Sequence, residues 1–324
     1  MIINNSSQLQ ALFTSFIARF QDLYSSLPEP YINRLANESL TTTEVVRFPW
    51  MGQLPVVREW IGDRKENSAA LKFFDVTPKL FETTFGLDKN KIDDDQYGFF
   101  SSQILPQMAY AARKYPDFRL VDELQANRTW SDGKAFFATD HPIHVDDENV
   151  KGFDGNNYYS NEYTSMPLTL DNYALVRQRM MARVGENGKS LGVMPNLLVY
   201  ESSNEQAALH ILKSAHIAPG VFGNQTSQVG AINNPYVGTA EGLLIPELAY
   251  DTVNATATLG RWMLLDTTKA IKPFGWLNRE AFNFAMRTSP TDPVVFDKNK
   301  YLFGGRGRGE GYGNCPILAS RCTP

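Results

Sequence analysis

Two imidazoles and three carboxylates crowd into His141-Pro142-Ile143-His144-Val145-Asp146-Asp147-Glu148, the donor types that bind a divalent cation. A metal-dependent hydrolase would draw on His141, His144 and Asp146. Zinc-binding histidines on a helix stand four residues apart, however, and Pro142 blocks that geometry. The bland alternative, a polar junction between strand and loop, is the stronger expectation. His210 and His216 lie six apart and do not share a helix face. The two cysteines, Cys315 and Cys322, sit near the C-terminus without a nearby His or Asp, a weak setting for a thiol nucleophile. No nucleophile elbow, P-loop or dinucleotide fingerprint stands between a strand and a helix. The expectation is a non-enzymatic chain with no cofactor and no metal.

One further run carries chemistry. Gly304-Gly305-Arg306-Gly307-Arg308-Gly309-Glu310-Gly311-Tyr312-Gly313 has the look of an arginine-glycine RNA-binding repeat, but it is short and adjoins strand-like residues. The preferred reading is a tight backbone path on which Arg306 and Arg308 meet acidic groups of another subunit or enclosed phosphates. Asp93-Asp94-Asp95 is a complementary acidic patch.

The elements that must carry these residues follow from periodicity. Leu9, Leu12, Phe13, Phe16, Ile17, Phe20, Leu23 and Tyr24 fall three and four apart, which predicts a helix from about Ser6 to Leu27, ended by Pro28 and Pro30. Its aromatic face either joins the core or docks on a neighbouring subunit. Glu44–Phe48 and Lys72–Val76 are β-branched and aromatic, and with Leu80–Leu87 they read as a long extended hairpin. Such an element lacks a core of its own and exposes strand edges, so a partner chain is its expected cover.

Ile104, Met108, Ala111, Ala112 and Tyr115 share a helical face, with Pro106 marking a kink or the true start; the pattern continues through Phe118, Val121 and Leu124. A helix over Leu170–Val184 is capped by Thr169 or Asp171, and Ser203 with Gln206 forms a capping-box pattern for the next one. Leu197–Tyr200, Leu243–Pro246 and Trp262–Leu265 read as strands, as do Val294–Phe296 and Tyr301–Phe303 as a pair. Strands and helices in this mixture give an α/β or α+β fold without an internal repeat.

Composition narrows the field. At 324 residues the chain can bury a large core without disulfides. Lys and Arg number 31 against 35 Asp and Glu, a net charge of -4, which argues against a dedicated nucleic-acid binder. So few cysteines suit a reducing compartment, with a Cys315–Cys322 bridge the lesser reading. The N-terminus lacks a signal-peptide pattern and no apolar run is long enough to span a membrane. Aromatic residues are 12% of the chain, which points to extensive packing within or between chains.

Three ordered motifs then match a known family: Val57-Arg58-Glu59-Trp60-Ile61-Gly62-Asp63-Arg64 with Phe81-Glu82-Thr83-Thr84-Phe85, next Ile92-Asp93-Asp94-Asp95-Gln96-Tyr97-Gly98, and Asp132-Gly133-Lys134-Ala135-Phe136-Phe137-Ala138-Thr139-Asp140-His141-Pro142. The set resembles the major head subunit of Mu-like phages and prophages, most specifically between 57 and 142. It departs at Thr77-Pro78-Lys79, where an Asn-containing turn is expected. The resemblance implies an α+β chain of the Hong Kong 97 phage capsid fold: an N-terminal arm at 1–43, an extended loop at 44–94, and a peripheral domain with its spine helix at 95–187. An axial domain at 188–270 and a return to the peripheral domain at 271–324 complete it.

It further implies a virion component that assembles in the host cytoplasm. Hexamers and pentamers would build an icosahedral shell around double-stranded DNA, with scaffold and portal proteins as partners; an encapsulin-like compartment is the alternative. Interface residues are then expected at Phe13, Phe16, Phe20, Trp60, Arg64, Phe81, Glu82, Asp93, Asp94, Arg306 and Arg308.

Overall fold

A computed structural model describes residues 6–49, 73–93, 98, 100–144, 149–152, 154–185, 188–217, 232–252, 254–289 and 292–324. Two sheets share one long helix as a common wall. The helix spans Leu105–Ala126, follows a π-helical turn at Phe100–Ile104, and carries Pro106 in its first turn, where a missing N–H costs nothing. Asn127, at φ 45°, ends it in the left-handed conformation that asparagine tolerates.

The first sheet orders Ala36–Leu40, Phe274–Arg287, Lys300–Gly313 and Lys79–Asp88 side by side. Ala36–Leu40 runs parallel to Phe274–Asn278, and the other pairings are antiparallel. The glycine run therefore lies along a strand, to its last residue. Its alternate glycines form a side-chain-free track. A Cβ on Gly305 would lie 2.3 Å from the Phe282 ring, one on Gly309 2.4 Å from Trp276, and one on Gly313 2.2 Å from Phe136. At Gly311 the obstacle is the helix backbone itself, with Leu120 Cα at 3.1 Å. Glycine normally weakens a strand, and here its place is taken by rings and by a helix lying flat on the backbone.

The second sheet orders Glu241–Leu244, Leu197–Tyr200, Trp262–Leu265, Ala319–Cys322 and Glu162–Tyr163. Its three central strands are buried at every position, the signature of a sheet covered on both faces. Leu197, Val199, Met263 and Leu265 point into a cluster with Leu120, Val121 and Leu124 of the long helix, which also takes in Phe274 and Trp276 of the first sheet. Their neighbours Leu198, Tyr200, Trp262 and Leu264 face Tyr173, Val176 and Met180 of the helix Leu170–Met181, and Ala208 and Ile211 of the helix Glu205–Lys213.

Three local expectations fail. Leu80–Leu87 does not extend the hairpin toward a partner chain: it lies in Lys79–Asp88, which pairs along Lys300–Gly313 of its own chain, with Leu87 buried in the core. Val294–Phe296 is part of a short helix, Pro293–Lys298, because proline opens a helical turn there and Phe296 N–H bonds back to Asp292 O at 3.0 Å. Ser203 does not form a capping box with Gln206: the Glu201 carboxylate accepts the Ser203 N–H at 2.7 Å and the Gly260 N–H at 2.9 Å, tying the turn to another loop. Thr169 does cap its helix, accepting from Asn172 N–H at 3.2 Å.

The glycine track yields a test. Gly311→Ala should lower stability by about 1–3 kcal/mol, because the helix backbone at Arg119 and Leu120 must move. Gly86→Ala, whose new methyl would meet only side chains, Leu302 at 3.4 Å and Lys300 at 3.9 Å, should cost far less in the same urea titration. Equal costs would remove the close-approach explanation.

Candidate assembly surfaces

The N-terminal helix Ser6–Ser26 lays its aromatic face on the chain's own body. Phe13 meets Tyr301 at 5.2 Å and Phe303 at 5.7 Å, Phe16 meets Phe100 at 5.0 Å, and Phe20 stacks on Phe284 at 4.6 Å. All three are buried, beside Met108, Ala109 and Ala112 of the long helix. Of the two readings open for this face, the core one describes its place in the single chain. Behind it, Asp117 holds the turn that follows: its buried carboxylate accepts the Ile32 N–H at 2.9 Å and the Tyr31 N–H at 3.4 Å, and pairs with Lys114 at 3.3 Å. Burial pushes this carboxyl up, against the hydrogen bonds and the lysine.

The loop root is a two-stranded antiparallel ladder, Val46–Pro49 with Phe73–Val76. Arg47 clasps Asp75 through two bonds of 2.8 and 3.0 Å, and Phe48 stacks on Phe74 at 5.4 Å and on Tyr312 of the first sheet at 4.6 Å. Trp60 and Arg64 lie outside the described residues, as does Asp94; Asp93 ends the short helix Lys89–Asp93.

Phe81, Glu82, Arg306 and Arg308 come together on adjacent strands, with Glu82 opposite Arg306 and Phe81 opposite Gly307. Arg306 is largely exposed and pairs with Glu280 at 3.0 Å, whereas Arg308 donates to Pro78 O at 3.0 Å. Glu82 accepts from Thr84 Oγ1 at 2.6 Å. Among the described residues the two arginines thus find partners within their own chain.

Sequence reasoning missed the charged group beneath the loop root. Glu310 is 2% exposed and accepts from Arg119 at 2.6 Å, with Lys79 at 3.6 Å; the Arg119 guanidinium also lies over the Phe81 ring at 5.1 Å. Glu123 lines the same cleft, of about 190 Å³, and pairs with Arg128 at 3.1 Å. Burial, reinforced by Glu310, outweighs that arginine and raises the Glu123 carboxyl to about 7. The available signal was the cluster of charges Asp117, Arg119, Asp122 and Glu123 beside the apolar Leu120, Val121 and Leu124 of the helix.

The hydrolase alternative loses its centre. His141 is buried, with Nδ1 2.6 Å from Asp132 Oδ2 and Nε2 3.2 Å from Phe136 O, so both ring nitrogens are engaged within the chain. Asp146 lies outside the described residues. Cys315 and Cys322 are unbridged, and burial pushes the Cys315 thiol up to about 11 and that of Cys322 higher, the opposite of an activated nucleophile.

Two measurements test these contacts. Phe16→Ala should cost about 3–5 kcal/mol of unfolding free energy, the range for deleting a buried ring; a loss below about 1 kcal/mol would mean the helix is not seated on the body. For Glu123 the folded carboxyl holds its proton up to about pH 7 while the unfolded one releases it near pH 4.5. The folded state therefore binds the extra proton in that window, and stability falls as pH rises through it. Glu123→Gln should flatten this slope and gain about 1–3 kcal/mol at pH 8 relative to its effect at pH 5. A parallel pair of pH profiles would refute the assignment.

Three likenesses place this geometry among known proteins. The chain is 29% identical over 146 residues to the major capsid protein of Escherichia phage Mu, a stretch covering 44% of this chain and 47% of that one. It is 30% identical over 147 residues to the FluMu prophage major head subunit of Haemophilus influenzae, with the same coverage. The chain thus spans about half the length of these curated relatives. Its structure superposes on a subunit of the bacteriophage JBD30 procapsid with a TM-score of 0.58 at 25% identity, covering 99% of this chain and 76% of that one. The α+β architecture is that of phage capsid proteins, the Hong Kong 97 type. The Mu-like prophage major head subunit gpT model matches residues 9–165, 158–237 and 249–319, and the chain belongs to that family.

Proposed function

We propose that this chain is the subunit of a closed phage or prophage head, working by self-assembly and without catalysis. The observation that carries the reading is the likeness to the JBD30 procapsid subunit over nearly the whole chain, joined to the family match. A closed shell needs heterologous contacts whose rotations close, and many modest contacts then act together through high effective concentration. The subunit offers such contacts at its extremities: Leu40, Leu80 and Phe296 are each more than 60% exposed, on strand ends and a tip helix.

In this reading 1–43 serves as the arm and 44–94 as the extended loop. Residues 95–187 and 271–324 form the peripheral domain, and 188–270 surround the axial centres. Phe81, Glu82, Asp93, Arg306 and Arg308, with Trp60, Arg64 and Asp94, contribute to contacts between copies. Scaffold and portal proteins assist in the host cytoplasm. The shell encloses double-stranded DNA, which an acidic chain holds without gripping its phosphates.

Negative-stain microscopy of the expressed full chain should show closed particles of uniform diameter, sensitive to charge reversal at Arg64 or Asp94. A chain that stays monomeric at every concentration and salt would overturn the reading. Particles filled with an enzyme would favour the compartment alternative.

A further inference from the structure

Arg179, in the last turn of the helix Leu170–Met181, and Arg183, just beyond it, line one cleft of about 150 Å³. Arg183 is 4% exposed, and its guanidinium donates to Ile317 O at 2.5 Å, Ala319 O at 3.1 Å, Ser160 O at 3.1 Å and Ser320 Oγ at 2.7 Å. Every one of these acceptors is a neutral oxygen. The charge is held firmly in a fixed direction, yet no carboxylate balances it among the described residues.

Arg179 lies over the Tyr163 ring at 5.1 Å, as Arg183 lies over Tyr159 at 5.2 Å. Stacking uses the face of a guanidinium and leaves its N–H rim for a planar acceptor. The acids nearby are otherwise placed: Glu162 is held by Arg321 at 2.5 Å, and Asp154, on the cleft wall, forms no ion pair with either arginine. Like charges four residues apart repel, and a buried cation without a counter-charge is costly. Both costs fall when an anion enters the cleft.

We propose that this cleft is a socket for one carboxylate side chain of a second copy of the chain, with Arg179 as its direct partner and Arg183 as the fixed charge behind it. The proposal rests on the shell reading. The cleft has room for a single side-chain head group, and two clustered arginines are not the extended basic stripe that tracks a nucleic-acid backbone. With 35 acidic against 31 basic residues, neighbouring copies supply the carboxylates in surplus.

The test is sedimentation of the full chain over a range of concentrations as wild type, Arg179→Gln and Arg179→Lys, with circular dichroism as the check on folding. The glutamine variant should need about tenfold more protein to associate, and the lysine variant should recover part of the loss. High salt should narrow the gap. Wild type and Arg179→Gln associating alike would overturn the socket alone, while a wild type that never associates would overturn the shell reading with it. Binding of a short mixed-sequence DNA duplex that depends on Arg179, with association unchanged, would assign the cleft to phosphate and also overturn the proposal.

Discussion

The contact on which the rest depends is the flat approach of the helix Leu105–Ala126 to a strand stripped of side chains. Between Gly305 and Gly313 every second residue is glycine, and the space each would fill is taken by Phe282, Tyr115, Trp276, the helix backbone at Leu120, or Phe136. Interiors packed this closely do not deform continuously. The same helix supplies Leu120, Val121 and Leu124 to the cluster that reaches the second sheet, and Met108, Ala109 and Ala112 to the cluster under the N-terminal helix. Its distance from the glycine track therefore fixes both sheets and the N-terminal helix at once.

Charges along this helix mark where the peripheral segments attach. Asp117 receives the backbone of the turn after the N-terminal helix, and Arg119 reaches Glu310 beside Lys79 at the start of the loop strand. Buried ion pairs add little net stability, since desolvation offsets the attraction, but removing one partner leaves a costly charge. Their effect is on register: a slip of the N-terminal segment would take the Ile32 and Tyr31 N–H donors from Asp117, and a slip of the strand Lys79–Asp88 would take Lys79 from Glu310. Apolar contacts hold these segments down, and the charged ones fix where they lie.

Much of this was legible where a strong period met a local partner. The N-terminal helix, the hairpin root and the fully buried strands at 197–200 and 262–265 follow from spacing and β-branched content. The strand Lys300–Gly313 was only half legible, because Tyr301–Phe303 carries strand character while the following glycines offer none. Its regularity comes from pairing with Phe274–Arg287 and with the distant Lys79–Asp88, which no local pattern reports. Arg119, Asp117 and Glu310 were invisible for a related reason: charges read as surface until a fold buries them together. Trp60 and Arg64, which lie within the motifs most telling for family, fall outside the described residues, so resemblance and geometry speak to different parts of the same loop.

Aromatic stripes that suggested cover by another molecule are largely covered by the chain itself, Phe13, Phe16 and Phe20 above all. That changes what association must accomplish. A subunit whose large apolar faces are already satisfied has scattered apolar residues at its tips and unbalanced charges in its clefts left to offer. Such contacts are individually weak and directional, so they favour a copy arriving in one orientation over indiscriminate clumping. In the proposed shell, wrong contacts must be refused before closure, and only the summed set is strong enough to last. Self-sufficient folding and multiple weak edges are thus two requirements of one design, and the flat helix on its glycine strand meets the first of them.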